Sequence, residues 1–166
     1  TWVVYRSDEG TDNIYDLYSV PIAGGTRNRL NEELDPSADV LGSPSFPDFQ
    51  ISPDSGRVVY LADQSVDTVN ELWSAPITGS SPATKLNSQL GSGGDVQAFR
   101  ISPDSNWVVY GADQTTDAQD ELWRVPIGGS VVPQKINGQL VSGGDVTLTR
   151  LGAPAFRVGG RDVVRL

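Results

Sequence analysis

The chain reads as an all-β protein assembled from repeated four-stranded units, and three observations predict this. First, Ile51-Ser52-Pro53-Asp54-Ser55 returns as Ile101-Ser102-Pro103-Asp104-Ser105, Val58-Val59-Tyr60 as Val108-Val109-Tyr110, and Glu71-Leu72-Trp73 as Glu121-Leu122-Trp123; Gly93-Gly94-Asp95-Val96 likewise returns as Gly143-Gly144-Asp145-Val146, a period of 50 residues. Second, an incomplete copy precedes these two. In it Trp2-Val3-Val4-Tyr5 matches Trp107 to Tyr110, and Asp16-Leu17-Tyr18-Ser19-Val20-Pro21-Ile22 matches Glu121 to Ile127. Third, the 166 residues include 18 Gly and 11 Pro with 37% hydrophobic residues, the balance of a folded, turn-rich β protein rather than a disordered one. A repeat of this length built from short strands predicts the blades of a β-propeller.

The elements of one unit follow in order. Phe99-Arg100-Ile101 and its upstream neighbours form a first strand, and Ser-Pro-Asp-Ser turns the chain, with proline where its fixed φ suits the turn. Trp107 to Ala112 is a second strand, apolar on both faces as expected of a strand sandwiched between sheets. After a polar loop, Glu121 to Ile127 is the third strand. Gly128-Gly129 turns into a short fourth strand ending at Lys135-Ile136-Asn137, and Ser142-Gly143-Gly144-Asp145 crosses to the next unit. Trp2, Val4, Val58, Tyr60, Leu72, Trp73, Val109, Tyr110, Leu122 and Trp123 are the expected core between blades.

Residues Ser52-Pro53-Asp54-Ser55-Gly56, Val58 to Asp63, Glu71 to Ile77 and Lys85-Leu86-Asn87, with their partners 50 residues on, carry a resemblance. Over about residues 1–151 the chain resembles the TolB-type, WD-like β-propeller repeat, whose blades show a Ser-Pro-Asp-Gly turn, an apolar strand ending near an acid, an aromatic third strand and a Gly-Gly turn. Departures are Ser105-Asn106 for the usual glycine, Thr78-Gly79-Ser80 for the paired glycines, and Leu151 to Gly160, where the turn is lost. The resemblance implies a periplasmic or extracellular location. It also implies kinship in fold with propellers that precede peptidase domains.

The repeats fall at about 1–47, 48–96 and 97–146, with 147–166 starting a further, degenerate blade. They are out of phase with the chain: it opens on a second strand and closes on a first strand, Val146 to Leu151, with Asp162 to Leu166 beginning another second strand. About three four-stranded blades cannot close a ring, which usually takes about four to eight. Open edges invite pairing with another chain, so either two copies join as a dimer forming a six-bladed ring or this is a segment of a larger propeller. A start at Thr1 with no Met anywhere reads as a processed or excised piece of something longer.

Absences narrow the chemistry. With no cysteine and no histidine, the chain lacks a disulfide framework, a thiolate nucleophile, the usual general base and the commonest zinc ligand. A net charge of −9 argues against nucleic acid or an anionic membrane as partner, and no apolar run is long enough for membrane insertion. No constellation of residues reads as catalytic.

Strand direction alternates through a blade, so the loops between strands two and three share a face with the crossings between blades. Most of the 21 acidic residues fall in those loops and crossings, and no Lys or Arg does. Such a face attracts cations or a basic protein or peptide partner. Three loops repeat one spacing: Asp8, Asp12, Asp16; Asp63, Asp67, Glu71; Asp113, Asp117, Glu121. Two readings of them are open. Clustered hard oxygens suit Ca²⁺, with Asp63, Asp67, Glu71, Asp113, Asp117 and Glu121 as ligands, although Gly10, Ser65 and Thr115 stand where related repeats carry a further acid. Alternatively, the acids cap the backbone of their own loops. Among other candidates, Gly91-Ser92-Gly93-Gly94 lacks the lysine and helix of a phosphate loop. Trp73 and Trp123 suit either sugar stacking or blade packing, and Asp54 and Asp104 suit an acid pair or a recurring turn. Three functions remain: a noncatalytic module binding a protein or peptide through its acidic face, a lectin-like carbohydrate-binding propeller, and the accessory propeller of a larger hydrolase.

Overall fold

A computed structural model describes residues 1–43, 46–148, 157–158 and 161–162. Three antiparallel sheets follow one another along the chain, and there is no helix among the described residues. The first sheet holds β1 (Trp2–Thr11), β2 (Ile14–Pro21) and β3 (Asn28–Arg29). A small hairpin, β4 (Gly42–Ser43) with β5 (Phe46–Pro47), was not expected from the sequence and bridges to the second sheet. That sheet is β6 (Phe49–Ile51), β7 (Arg57–Ala62), β8 (Glu71–Pro76) and β9 (Thr84–Lys85). The third is β10 (Val96–Ile101), β11 (Trp107–Ala112), β12 (Glu121–Pro126) and β13 (Gln134–Lys135). A last pair, β14 (Arg157–Val158) and β15 (Arg161–Asp162), forms a hairpin.

Strands neighbour one another in sequence order within each sheet, as blades require. The second and third sheets have all four strands, while the first has the equivalents of strands two to four only. Register repeats as faithfully as sequence does, with Tyr5 opposite Tyr18, Tyr60 opposite Trp73 and Tyr110 opposite Trp123. The Ser-Pro-Asp turns owe their shape to one hydroxyl. Ser52 Oγ accepts from Arg57 N and donates to Asp54 Oδ1 at 2.6 Å, which also accepts from Gly56 N; Ser102 and Asp104 repeat this with Trp107 and Asn106. The turn drives Ser55 and Ser105 to φ 61°, a left-handed conformation that a serine adopts only under such constraint.

Because successive strand residues point to opposite faces, β7 and β8 are buried on both. On one side Val58, Tyr60, Ala62, Trp73, Ala75 and Ile77 pack with Leu17, Leu30 and Val40 of the first blade. On the other, Val59, Leu61, Leu72 and Leu86 pack with Val108, Tyr110, Ala112, Trp123, Val125 and Ile127 of the third. An aliphatic triplet thus recurs, Val4-Leu17-Leu30 and then Val59-Leu72-Leu86, each covering the aromatic pair of the next blade. Full burial of such a side chain contributes about 1.5–3 kcal/mol, so these seams are where the stability of the array is concentrated.

Of the expected core, Val58, Tyr60, Leu72, Trp73, Val109, Tyr110 and Trp123 are buried, whereas Trp2, Val4 and Leu122 are only half-buried. Those three lie in the first and last sheets, where packing comes from one neighbouring blade instead of two. Of the expected strand Val146 to Leu151, residues 146–148 are not in a strand and 149–151 lie outside the described residues. Asp162 pairs with Arg157 in the last hairpin, and residues 163–166 also lie outside.

Candidate functional site

The loops between strands two and three meet the crossings between blades, so the acidic face is a continuous set of contacts. In the first crossing, Asp39 Oδ1 accepts from Tyr15 N at 2.6 Å, and Asp39 N donates to Asp63 Oδ1 at 2.5 Å. In the second, Asp95 Oδ1 accepts from Asn70 N at 2.6 Å and Asp95 N donates to Asp113 Oδ1 at 2.5 Å. The third begins the same way, with Asp120 N donating to Asp145 Oδ1 at 3.0 Å. Asp39 and Asp95 each therefore tie the loop behind to the first acid of the blade ahead. Backbone bonds back up each tie, from Val40 N to Tyr15 O, Val96 N to Asn70 O and Val146 N to Asp120 O.

Asp63 and Asp113 use their second oxygen within their own loops, accepting from Thr68 N and Ala118 N. Both of those residues have positive φ, 66° and 56°, and Asn13 at 62° holds the same place in the first loop. Asparagine tolerates the left-handed region, whereas Thr68 and Ala118 are held there by the carboxylates they face. Glu71 and Glu121 sit at the start of the third strands, buried, each paired with the lysine across from it. Glu71 Oε1 meets Lys85 Nζ while its Oε2 accepts from Ser65 N at 2.9 Å; Glu121 Oε1 meets Lys135 Nζ at 2.8 Å and its Oε2 accepts from Thr115 Oγ1. Burial opposes the Glu121 carboxylate, but the Lys135 ammonium and the Thr115 hydroxyl outweigh it and hold its carboxyl below the usual range. In the first blade the buried Asp16 accepts from Asn31 Nδ2 at 2.6 Å and from Tyr18 OH at 3.1 Å.

These are the bonds of loops capped by their own acids, joined to ties between blades. Asp67 and Asp117 stand apart from them, exposed to solvent. Among the described residues no three acidic side chains are grouped closely enough to hold a metal ion. Asp120 is the strained member of the face: burial, then the charges of Asp113 and Asp145, push its carboxyl above the usual range. Its counterpart in the second blade is the uncharged Asn70.

Trp73 and Trp123 are 7% and 8% exposed and lie in the seams between blades, which leaves no face for a sugar ring. Asp54 and Asp104 hold their turns together, and the Ser52 and Ser102 hydroxyls lower their carboxyls below the usual range. Sequence reading missed the role of Asp39 and Asp95 as ties, although the Asp-Val pair that recurs at 39–40, 95–96 and 145–146 was their signal. It also missed Asn31, Asn87 and Asn137, whose Oδ1 atoms accept from Leu17 N, Leu72 N and Leu122 N and peg the third strand to the fourth. The threefold recurrence of Asn after an aliphatic residue was visible.

On the acidic face a hollow of about 680 Å³ opens between the loop carrying Val66 and Val69 and the crossing at Leu90 to Gly93, floored by Glu71, Lys85 and Asn87. Exposed acids surround the loops and crossings, with Asp12, Glu32, Glu33, Asp35, Asp67 and Asp117 in open solvent.

No protein-family model matches the chain, and no curated protein matches it. Among solved structures it is similar to a protein assigned as TolB from Agrobacterium tumefaciens, at 22% identity and a TM-score of 0.54, over 83% of this chain and 43% of that one. It is also similar to a puromycin-hydrolysing peptidase of Mycobacterium tuberculosis, at 12% identity and a TM-score of 0.49, over 84% of this chain and 24% of that one. The first likeness shows that the fold is a TolB-like β-propeller fold. The chain spans less than half the length of that protein.

Proposed function

We propose that this propeller unit is a noncatalytic module that binds a basic protein or peptide segment through its acidic loop face, and that it acts in the periplasm or outside the cell. One observation carries the reading. The acids of the face divide into buried ones engaged in holding loops and blades, such as Asp63 and Glu71, and exposed ones with no structural bond, such as Asp67, Asp117, Glu32 and Glu33, while no Lys or Arg lies in these loops. A rim of one sign draws cationic segments toward it. The hollow beside Leu90 offers apolar walls at Val66, Val69 and Leu90 for the stem of a long side chain. The extracytoplasmic placement rests on the TolB-like fold, and no helix among the described residues is long and apolar enough to cross a membrane.

The test is binding of a lysine-rich fluorescent peptide, followed by anisotropy at low and high salt. Affinity is expected to fall several-fold as salt rises, and again in the quadruple variant Glu32→Gln, Glu33→Gln, Asp67→Asn, Asp117→Asn. A neutral peptide that binds as well as the basic one would sink the reading.

A further inference from the structure

We infer that the hollow beside the second blade anchors one lysine or arginine side chain of the basic segment proposed above, on whose binding this assignment depends. The stem lies along Val66, Val69 and Leu90, and the charged end is held at the rim by Asp117.

The second and third blades build this corner with the same backbone. Val69 N donates to Val66 O where Gln119 N donates to Thr116 O, and Gly94 N donates to Gly91 O where Gly144 N donates to Val141 O. Thr68 and Ala118 share a left-handed φ, as do Gly93 at 81° and Gly143 at 73°. What differs is the side chain at the edge of the loop. In the third blade Gln119 Nε2 reaches the crossing and donates to Val141 O at 3.3 Å and Gly144 O at 3.2 Å, so loop and crossing are joined. Val69 has no such donor, and in the second blade the space between loop and crossing is the hollow. Two further exchanges widen it or make it more apolar. Val66, 54% exposed, stands for Thr116, and Gly91, with open space where its Cβ would be, stands for Val141. A repeat that otherwise copies its neighbour has here exchanged a hydrogen-bonded closure for an open apolar wall.

Charge sorts what can enter. The floor is a closed ion pair: Glu71 is buried, and Lys85 Nζ lies against it and 5.9 Å from the centroid of the Trp73 ring. A second cation at the floor would meet that ammonium. At the rim, Asp117 of the third blade leans on Gly93, where a Cβ would lie 2.9 Å from Asp117 Oδ1. Asp117 makes no hydrogen bond or ion pair among the described residues, and neither does Asp67 beside Val66. A free surface carboxylate alone gives little affinity, since an exposed ion pair is opposed by solvent and by side-chain entropy. An apolar trough leading to that carboxylate matches a side chain that lays an aliphatic stem on apolar surface and keeps its charged end in water. At about 680 Å³ the hollow has room for the side chain and for the backbone that carries it.

The third blade supplies the test. Val69→Gln gives the second blade the residue that bridges loop and crossing in the third, and it changes no charge. Binding of the lysine-rich fluorescent peptide is expected to weaken several-fold in this variant at low and high salt alike, with the melting temperature unchanged. Asp117→Asn is expected to weaken it at low salt and to converge on the unmodified chain at high salt. A peptide with 2,4-diaminobutyrate in place of every lysine, equal in charge but shorter in stem, is expected to bind several-fold more weakly than the lysine peptide. If Val69→Gln lowers the melting temperature, Val66→Thr, at an exposed position, takes its place with the same expectation. Unchanged binding in the Val69 or Val66 variant, or equal binding of the short-stemmed peptide, overturns the anchor and leaves the acidic face as a diffuse attractor. Failure of the unmodified chain to bind the lysine peptide overturns both readings. Displacement of that peptide by 1,5-diaminopentane at concentrations no higher than the peptide's own Kd would assign the hollow to a free diamine and overturn the docking of a peptide side chain.

Discussion

Tyr60 and Trp73 lie under a neighbouring blade, whereas Tyr5 and Tyr18, in the same register of the same kind of sheet, lie at an open end. The two pairs differ little in chemistry. What separates them is what stands over them, an aliphatic triplet of the preceding blade for Tyr60 and Trp73 and, among the described residues, no such triplet for Tyr5 and Tyr18. Tyr18 is nonetheless 4% exposed, covered by Tyr5 and Arg27 of its own blade, and it is Tyr5 that is left half-buried, so equal substitutions at equivalent places should have unequal effects.

The largest expected contrast is between Leu72→Ala and Ile136→Ala. Leu72 is fully buried in a seam, and its truncation should cost about 2–5 kcal/mol through lost transfer energy and the cavity left behind. Ile136 is its neighbour's counterpart at the open end and should cost about 1 kcal/mol or less in the single chain. Denaturant unfolding at low protein concentration measures both.

A middle-sized contrast sets Asp63 against Asp67. Asp63→Ala deprives Asp39 N and Thr68 N of a charged acceptor, at about 1–3 kcal/mol for the two hydrogen bonds lost. Asp67→Ala, at an exposed site four residues along the same loop, should stay within about 0.5 kcal/mol. Melting with Ca²⁺ or Mg²⁺ at equal ionic strength extends the test. Carboxylates engaged by backbone N–H groups predict equal shifts with the two ions, and an excess shift with Ca²⁺ would assign the loops to metal binding instead.

The smallest contrast is pH-dependent. Asp120 has a raised carboxyl where the second blade has Asn70, so its ionised form is disfavoured in the folded chain. A raised folded value gives stability that is present below the ordinary 3.8 and lost as pH rises through the folded value. Asp120→Asn should therefore raise the melting temperature at pH 7 by about 1–2 °C, with the gain vanishing near pH 3. A gain that is the same at both pH values would remove the charge from the explanation.

The repeat made the blades legible. Trp107 to Ala112 and Glu121 onward appear as strands where the apolar pattern and the turn residues place them, because tertiary packing and local propensity agree there. Legibility failed where a residue's neighbour is in another blade. Leu122 looks identical to Leu72 in sequence, and only the array shows that one seam is open. The acid spacing of Asp63, Asp67 and Glu71 was visible as a pattern, but its use was not. A carboxylate near a backbone N–H from 24 residues away, as Asp63 is to Asp39, leaves no local signature. Asp39 and Asp95 were grouped with the face on charge alone, while their role rests on a donor and an acceptor in the same residue.

That double use gives the array a direction. Asp39 and Asp95 take a hydrogen bond from behind and give one forward, so the links are polar, like couplings that join only nose to tail. A blade inserted or duplicated in the chain would fit without new chemistry, provided it brought one aspartate in its crossing and one at the end of its second strand. The same rule bars a blade from being added in reverse. Growth of this protein by gene duplication would therefore preserve the sense of the array while leaving the number of its members free to change.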